Sequence, residues 1–182
     1  MKDLDQIFLP DQTSLDVRIG PYVVPGMTET EFHHVSLAKT HGSLSAIRCH
    51  ATVPMHIQEN IELSKNLLLY GTYVFDFTTA AVHYAQIALE ASLRRALGKT
   101  EECRDNIDMM LKEAVSKNLL SKDRNEHVTS FGFVRHSRNG LSHDKENRNV
   151  FNHALAIPFV EMIVEAINAL FPESASQTHA KG

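Results

Sequence analysis

No stretch of this chain approaches the roughly 20 consecutive apolar residues that a membrane-spanning helix needs, which excludes a simple helical membrane anchor. Cysteine is scarce as well. Cys49 and Cys103 are far apart and show no CxxC spacing, so neither a disulfide framework nor a zinc knuckle is expected, and both are read as reduced thiols. The start lacks a basic region followed by an apolar one, because Asp3, Asp5 and Asp11 surround the short Ile7-Phe8-Leu9, and a cytoplasmic location is expected. Positive charge is not in excess, and a formal net charge of -4 argues against a protein coated in nucleic acid. A metal set is not expected: His33, His34, His41, His50 and His56 lack fixed helical spacing and acidic companions. No helix is expected to supply the inward-facing Glu-x-x-His pairs that a di-metal bundle enzyme uses, and no cofactor is implied.

What is present is a chain of 182 residues with 43% hydrophobic content, enough for one core and some additional chain. The charge is unevenly spread. The first third is acidic, whereas from Arg94 to Arg148 the basic residues outnumber the acids, so this part can form either a local positive face or a solvated surface.

Residues 1–54 show no sustained helical period. They carry Pro10, Pro21, Pro25 and Pro54 with Gly20, Gly26 and Gly42, and strand-like pieces at Leu15 to Ile19 and Ser45 to Val53. They are read as an extension with short strands, able to pack a hairpin on the domain or to supply a dimer contact. After Pro54 the pattern changes. Ile57, Ile61, Ser64 and Leu68 predict an amphipathic helix stopped at Gly71, and Val74, Phe77, Ala81, Tyr84, Ala88 and Ala91 predict a longer one over 72–97, stopped at Gly98. Tyr84 is placed in the core and His83 on the helix face. Ile107, Met110, Leu111, Ala114, Val115 and Leu119 predict a third helix, and Val128, Phe131 and Val134 a fourth over 126–139, ended by Asn139-Gly140. A last helix with Phe159, Met162, Ile163, Ala166, Ile167 and Leu170 starts near Pro158 or is kinked there, and a frayed tail follows from Pro172. The expected fold is all-α, an antiparallel bundle of four to five helices over 55–171, with the extension 1–54 before it and the tail 172–182 after it. A DNA-binding helix-turn-helix is disfavoured, since Ser121 to Asn125 has no glycine turn and the next helix is not basic at its start.

Arg138-Asn139-Gly140-Leu141-Ser142-His143 is the segment with the clearest chemical content. Residues five apart on a continuous helix lie about 140° apart, but a helix that ends at Asn139-Gly140 can swing His143 back towards Arg138. Arg148-Asn149-Val150-Phe151-Asn152-His153 repeats the same Arg-Asn-x3-His spacing ten residues on. There Val150 and Phe151 read as the apolar start of the closing helix, which leaves Arg148 and His153 as surface groups. A plain structural role stands beside the chemical one, because Arg138 and His143 could each stabilise the carbonyls of a helix C-terminus.

The segments Glu59 to Tyr73, with Leu68-Leu69-Tyr70-Gly71-Thr72-Tyr73 at its end, and Ala80 to Leu93, followed later by Arg138 to His143, resemble the HEPN domain. In that family a helix ending in leucine-leucine-x-glycine-x-tyrosine precedes one bearing alanine-alanine-glutamate-leucine, and an Arg-x4-to-6-His element comes later. The resemblance spans roughly 55–171 and implies a helical bundle. It further implies a metal-independent RNA endonuclease in which the ribose 2′-hydroxyl attacks the adjacent phosphate. His143 would move the proton, Arg138 would hold the phosphate and stabilise its charge, and Asn139 would orient either partner. One histidine does not easily serve as both acid and base, so the resemblance implies a homodimer with two motifs across an isologous interface. It also implies a defence, toxin or stress-response setting, with room for a regulatory protein partner.

The supporting residues expected around this site are Arg135, His136, Ser142 and Asp144, together with Glu90, which could reach Arg138 from a neighbouring helix. The alternative for Glu90 is a surface pair with Arg94. Family members neutralised by modification of a tyrosine two residues after the histidine differ here, because Lys145 occupies that position. Many HEPN-like domains act as non-catalytic modules, so binding of RNA, a nucleotide or a protein partner is the alternative function.

Overall fold

Among the described residues of the computed structural model, 29–71, 73–100, 104–121 and 153–173, every regular element is an α-helix. They are α1 (Glu29–Ala46), α2 (Met55–Tyr70), α3 (Asp76–Ala96), α4 (Ile107–Ser116) and α5 (His153–Leu170). The expected all-α helical bundle is therefore present. The predicted helix over 126–139, the strand-like Leu15 to Ile19 and the tail beyond residue 173 lie outside the described residues.

The expectation of a short strand at Ser45 to Val53 is corrected. Ser45 and Ala46 close α1, and the chain then runs through an irregular connector that turns at Ala51–Val53. The α1 helix escaped notice because its apolar residues do not fall on one stripe. Leu37 and Leu44, seven residues apart, are the two that are buried among its described side chains, and they join the same core as the later helices.

The helix ends follow from local chemistry. Asn106 caps α4, its side-chain oxygen accepting the Met109 N–H at 2.9 Å. At the other end Asn118 takes the left-handed conformation at φ 57°, and its N–H and that of Leu119 reach the Val115 and Ala114 carbonyls, both at 2.9 Å. Gly98 at φ 67° does the same for α3, with Lys99 N–H bonding the Arg94 carbonyl at 2.8 Å and Gly98 N–H the Arg95 carbonyl at 3.2 Å. Both are Schellman closures, which satisfy carbonyls the helix leaves over. Gly71 stops α2 in another way. It stays in the right-handed region, its N–H bonds the Leu67 carbonyl at 2.8 Å, and a short turn leads into α3.

The α3 helix is the centre of the bundle, packing most extensively on α2 and α5 and less on α4. Ser64 lies six residues before the end of α2 and Ala81 five after the start of α3, yet the Ser64 hydroxyl donates to the Ala81 carbonyl at 2.7 Å. The two helices therefore run antiparallel. Ala81, Ala85, Ala88 and Ser92 form a small-residue ridge on α3, and Val82, Leu89 and Leu93 supply bulk beside it. All are buried. Truncating a fully enclosed residue such as Leu89 or Ile163 to alanine would cost about 2–5 kcal/mol.

The predicted stripe of α3 is displaced. Phe77 is 38% exposed, Val74 in the preceding turn is 39% exposed, and Tyr84 is half-buried rather than in the core. The buried face instead follows Ala81, Val82, Ala85, Ala88, Leu89, Ser92 and Leu93. The last helix begins at His153, five residues ahead of Pro158. Proline removes the N–H that would bond the Ala154 carbonyl, but little more than one turn precedes it, and burial of Val160, Ile163, Val164 and Ile167 holds the rest.

Candidate functional site

Arg135, His136, Arg138, Asn139, Ser142, His143 and Asp144 lie outside the described residues, as does Arg148 of the second Arg-Asn-x3-His match. His153 is the first residue of α5, and its side chain is outside the described set. In sequence, the Arg138 to His143 motif falls between the end of the α4 region at Ser121 and the start of α5. The described part of the molecule is therefore the scaffold on either side of the candidate motif.

Glu90 sits on the C-terminal half of α3 and pairs with Arg94, one helical turn on. Arg94 donates to the Glu90 Oε1 atom from Nη2 at 3.0 Å and from Nε at 3.3 Å, with both side chains 25% exposed. The pairing with Arg94 is thus present, half-buried and not at the open surface, whereas the link to Arg138 falls outside the described residues. His83 is exposed on the same helix, its ring edge-on to Tyr84 at 6.5 Å between centroids.

The basic stretch that begins at Arg94 is partly neutralised by its own carboxylates. Lys99 bridges Asp105 at 2.5 Å and Glu113 at 2.6 Å, and Lys117 holds the other Glu113 oxygen at 2.8 Å. Hydrogen bonds to Asp105 and Glu113 hold the Lys99 ammonium above its ordinary range. Those donated by Lys117 and Lys99 hold the Glu113 carboxyl below its own. This network ties the loop after α3 to α4. Arg95, Arg104 and Lys112 are exposed and form the outward positive charge of this end.

Sequence reasoning missed a polar cluster around the connector between α1 and α2. Lys65, only 4% exposed, donates from Nζ to the Ile47 carbonyl at 2.9 Å and to Glu62 Oε1 at 2.7 Å. Its burial was hidden because it sits at the edge of an otherwise apolar helix face, where a lysine reads as solvated. Asn168 of α5 clamps the same connector, accepting the His50 N–H at 2.8 Å and donating to the Arg48 carbonyl at 2.9 Å. Thr52 adds a bond to the Phe171 carbonyl at 2.6 Å. Cys49 lies within this cluster as a free thiol, and burial pushes its pKa up to about 11 despite the nearby Lys65 ammonium. A protonated, half-buried thiol is a poor nucleophile.

Among the described residues no group of three or more His, Cys, Asp or Glu side chains is placed to hold a metal ion. Glu31-Phe32-His33-His34 does carry Glu-x-x-His spacing on α1, which sequence reasoning did not count, and its side chains lie outside the described residues. His41 is joined to Ser45, whose hydroxyl bonds the His41 carbonyl at 2.7 Å, and His56 is exposed at the start of α2. Among the described residues, no helix is long and apolar enough to cross a membrane.

Compared with protein-family models, with curated proteins and with solved structures, the chain matches none.

Proposed function

We propose that this chain is a metal-independent RNA endonuclease of the HEPN type, acting as a homodimer and leaving a 2′,3′-cyclic phosphate. The observation that carries the reading is the α2–α3 hairpin. It is antiparallel, and its turn falls on Gly71 within Leu68-Leu69-Tyr70-Gly71-Thr72-Tyr73. A helical scaffold with that hairpin, followed in sequence by Arg138-Asn139-x3-His143, has the order of parts the resemblance requires.

The chemistry needs few groups. An imidazole with a pKa near 6.5 takes the 2′-hydroxyl proton or protonates the leaving 5′-oxygen at neutral pH, and His143 fills that role. Arg138 holds the phosphate with its fork of donors and offsets charge building on the equatorial oxygens. Asn139 orients either partner. With one histidine per motif, acid and base come from two copies, which makes a homodimer part of the proposal. The setting is defence, toxin action or stress response in the cytoplasm, and a regulatory protein partner fits that setting.

The alternative reading is a non-catalytic HEPN-like module that binds RNA, a nucleotide or a protein. Cleavage of mixed single-stranded and structured RNA in EDTA separates the two. Wild type and His153→Ala are expected to cut, leaving cyclic phosphate ends, while His143→Ala and Arg138→Ala lose at least about a hundredfold. Glu90→Gln is expected to retain activity within about twofold, since an i to i+4 helix pair contributes only a few tenths of a kcal/mol. Folded wild type that leaves all RNA intact would transfer the proposal to the binding module.

A further inference from the structure

The α3 helix carries a second apolar stripe, of which only Ala91 packs against the described core. Phe77, Ala80, Tyr84, Ile87 and Ala91 recur at alternating steps of three and four, the spacing of a helix–helix seam, on a flank about a quarter-turn round from the core ridge of Ala81, Ala85, Ala88 and Ser92. Phe77 is 38% and Ile87 40% exposed, and Ala80, Tyr84 and Ala91 are half-buried. Such a row on a helix already buried along its other face marks a contact surface.

The charges at the two ends of the stripe specify the occupant. Asp76 stands at its start and Arg95 at its end, both exposed, while the charge of Arg94 is met by Glu90. A parallel neighbour of the same sequence would set like charge on like. An antiparallel one sets acid against base at both ends.

We infer that α3 pairs antiparallel with α3 of a second copy of this chain. In the register that centres the apolar stripe, Tyr84 meets Ile87 of the second copy, Ala80 meets Ala91, Phe77 meets Arg94 and Asp76 meets Arg95, each contact occurring twice by symmetry. The small Ala80 and Ala91 let the two helices approach where they face each other, while Phe77, Tyr84 and Ile87 supply the bulk of the seam. With 21 residues, α3 is about 31 Å long, so the stripe alone makes a narrow interface and a dimer that dissociates on dilution. A second copy is the partner the proposed ribonuclease already requires, and the pairing rests on that reading to this extent. The apolar seam and the charge pattern are independent of the Arg138 to His143 motif.

Sedimentation equilibrium on the full chain, with circular dichroism to confirm helix content, tests the pairing. Wild type is expected to dimerise at micromolar concentrations, and Ile87→Asp to weaken the dimer at least roughly tenfold with helix content unchanged. Asp76→Arg and Arg95→Glu should each weaken it, and the double exchange should restore it. A wild type that stays monomeric, a dimer indifferent to Ile87→Asp, or a double exchange no better than the single variants would each overturn the pairing. RNA cleavage assayed on the same samples separates the two proposals. A dimer that obeys the charge exchange yet leaves RNA intact removes the ribonuclease and keeps the pairing, whereas a cleaving monomer removes the pairing alone.

Discussion

Lys65 offers a quantitative test of what holds the connector before α2 in place. Replacing it with methionine keeps most of the apolar stem in its buried slot and removes the ammonium. The bond to the Ile47 carbonyl, a charged donor on a buried acceptor, is worth about 1.5–3 kcal/mol, and its loss leaves that carbonyl poorly satisfied. The bond to Glu62 counts for less, because that carboxylate is 41% exposed and regains water, so a few tenths of a kcal/mol is the appropriate order. Against these losses stands the relief of no longer burying an ammonium, on the order of 1 kcal/mol or more. The net expectation for Lys65→Met is a loss of about 1–2 kcal/mol. Lys65→Ala also gives up roughly three buried methylenes, about 2 kcal/mol more. For a chain of this size each kcal/mol lowers Tm by about 2–4 °C, so thermal and urea unfolding resolve the two variants. A methionine variant as stable as wild type, or more so, would show that the ammonium contributes nothing net and that the apolar stem alone accounts for the stability of the position.

Two further outcomes follow from the titrating groups. With its thiol pushed up to about 11, Cys49 should resist alkylation near pH 8 in the folded protein and react readily in urea, which peptide mapping after iodoacetamide would show; fast labelling of the native thiol would contradict its burial. Glu113 has a depressed pKa in the fold, so the stability it contributes is present above the ordinary carboxylate range and is lost as pH falls through its folded value; Lys99 has a raised one, so its contribution is present below the ordinary lysine range and is lost as pH rises above it. Thermal melts from about pH 6 to pH 3 should therefore fall less steeply for Glu113→Gln than for wild type, and parallel curves would refute the network's role in tying α4 to α3.

The helices that could be read from sequence are those whose stop signals coincide with a regular period. Gly71 and Gly98 end α2 and α3 where the pattern predicted, and the third helix was found from Ile107, Met110, Leu111 and Ala114. The α1 helix could not be found in this way, since Gly42, three histidines and an apolar set scattered around its axis remove the stripe on which a prediction depends. The polar cluster was equally hidden. Asn168 and the backbone it clamps are 118 and 120 residues apart, and nothing local to either segment announces the other. Of the candidate site, Glu90 is placed, and its i to i+4 partner was legible because that interaction is set by helix geometry alone.

The misplaced stripe on α3 has a physical origin that bears on function. The predicted set of Phe77, Ala81, Tyr84, Ala88 and Ala91 mixes residues from two faces, because α3 is apolar both towards the core and along its outer edge. Large aromatic residues attract a reading of burial, yet at the core face α3 uses alanines and Ser92, which allow α2 to approach close enough for the Ser64 hydroxyl to reach the Ala81 carbonyl. The bulky Phe77 and Ile87 are left exposed, and Tyr84 half-buried. A helix buried on one side would normally be polar on the other. That α3 keeps Phe77 and Ile87 exposed on one flank is the fact that displaced the predicted stripe, so testing Ile87→Asp for loss of a dimer also tests why the periodicity was ambiguous.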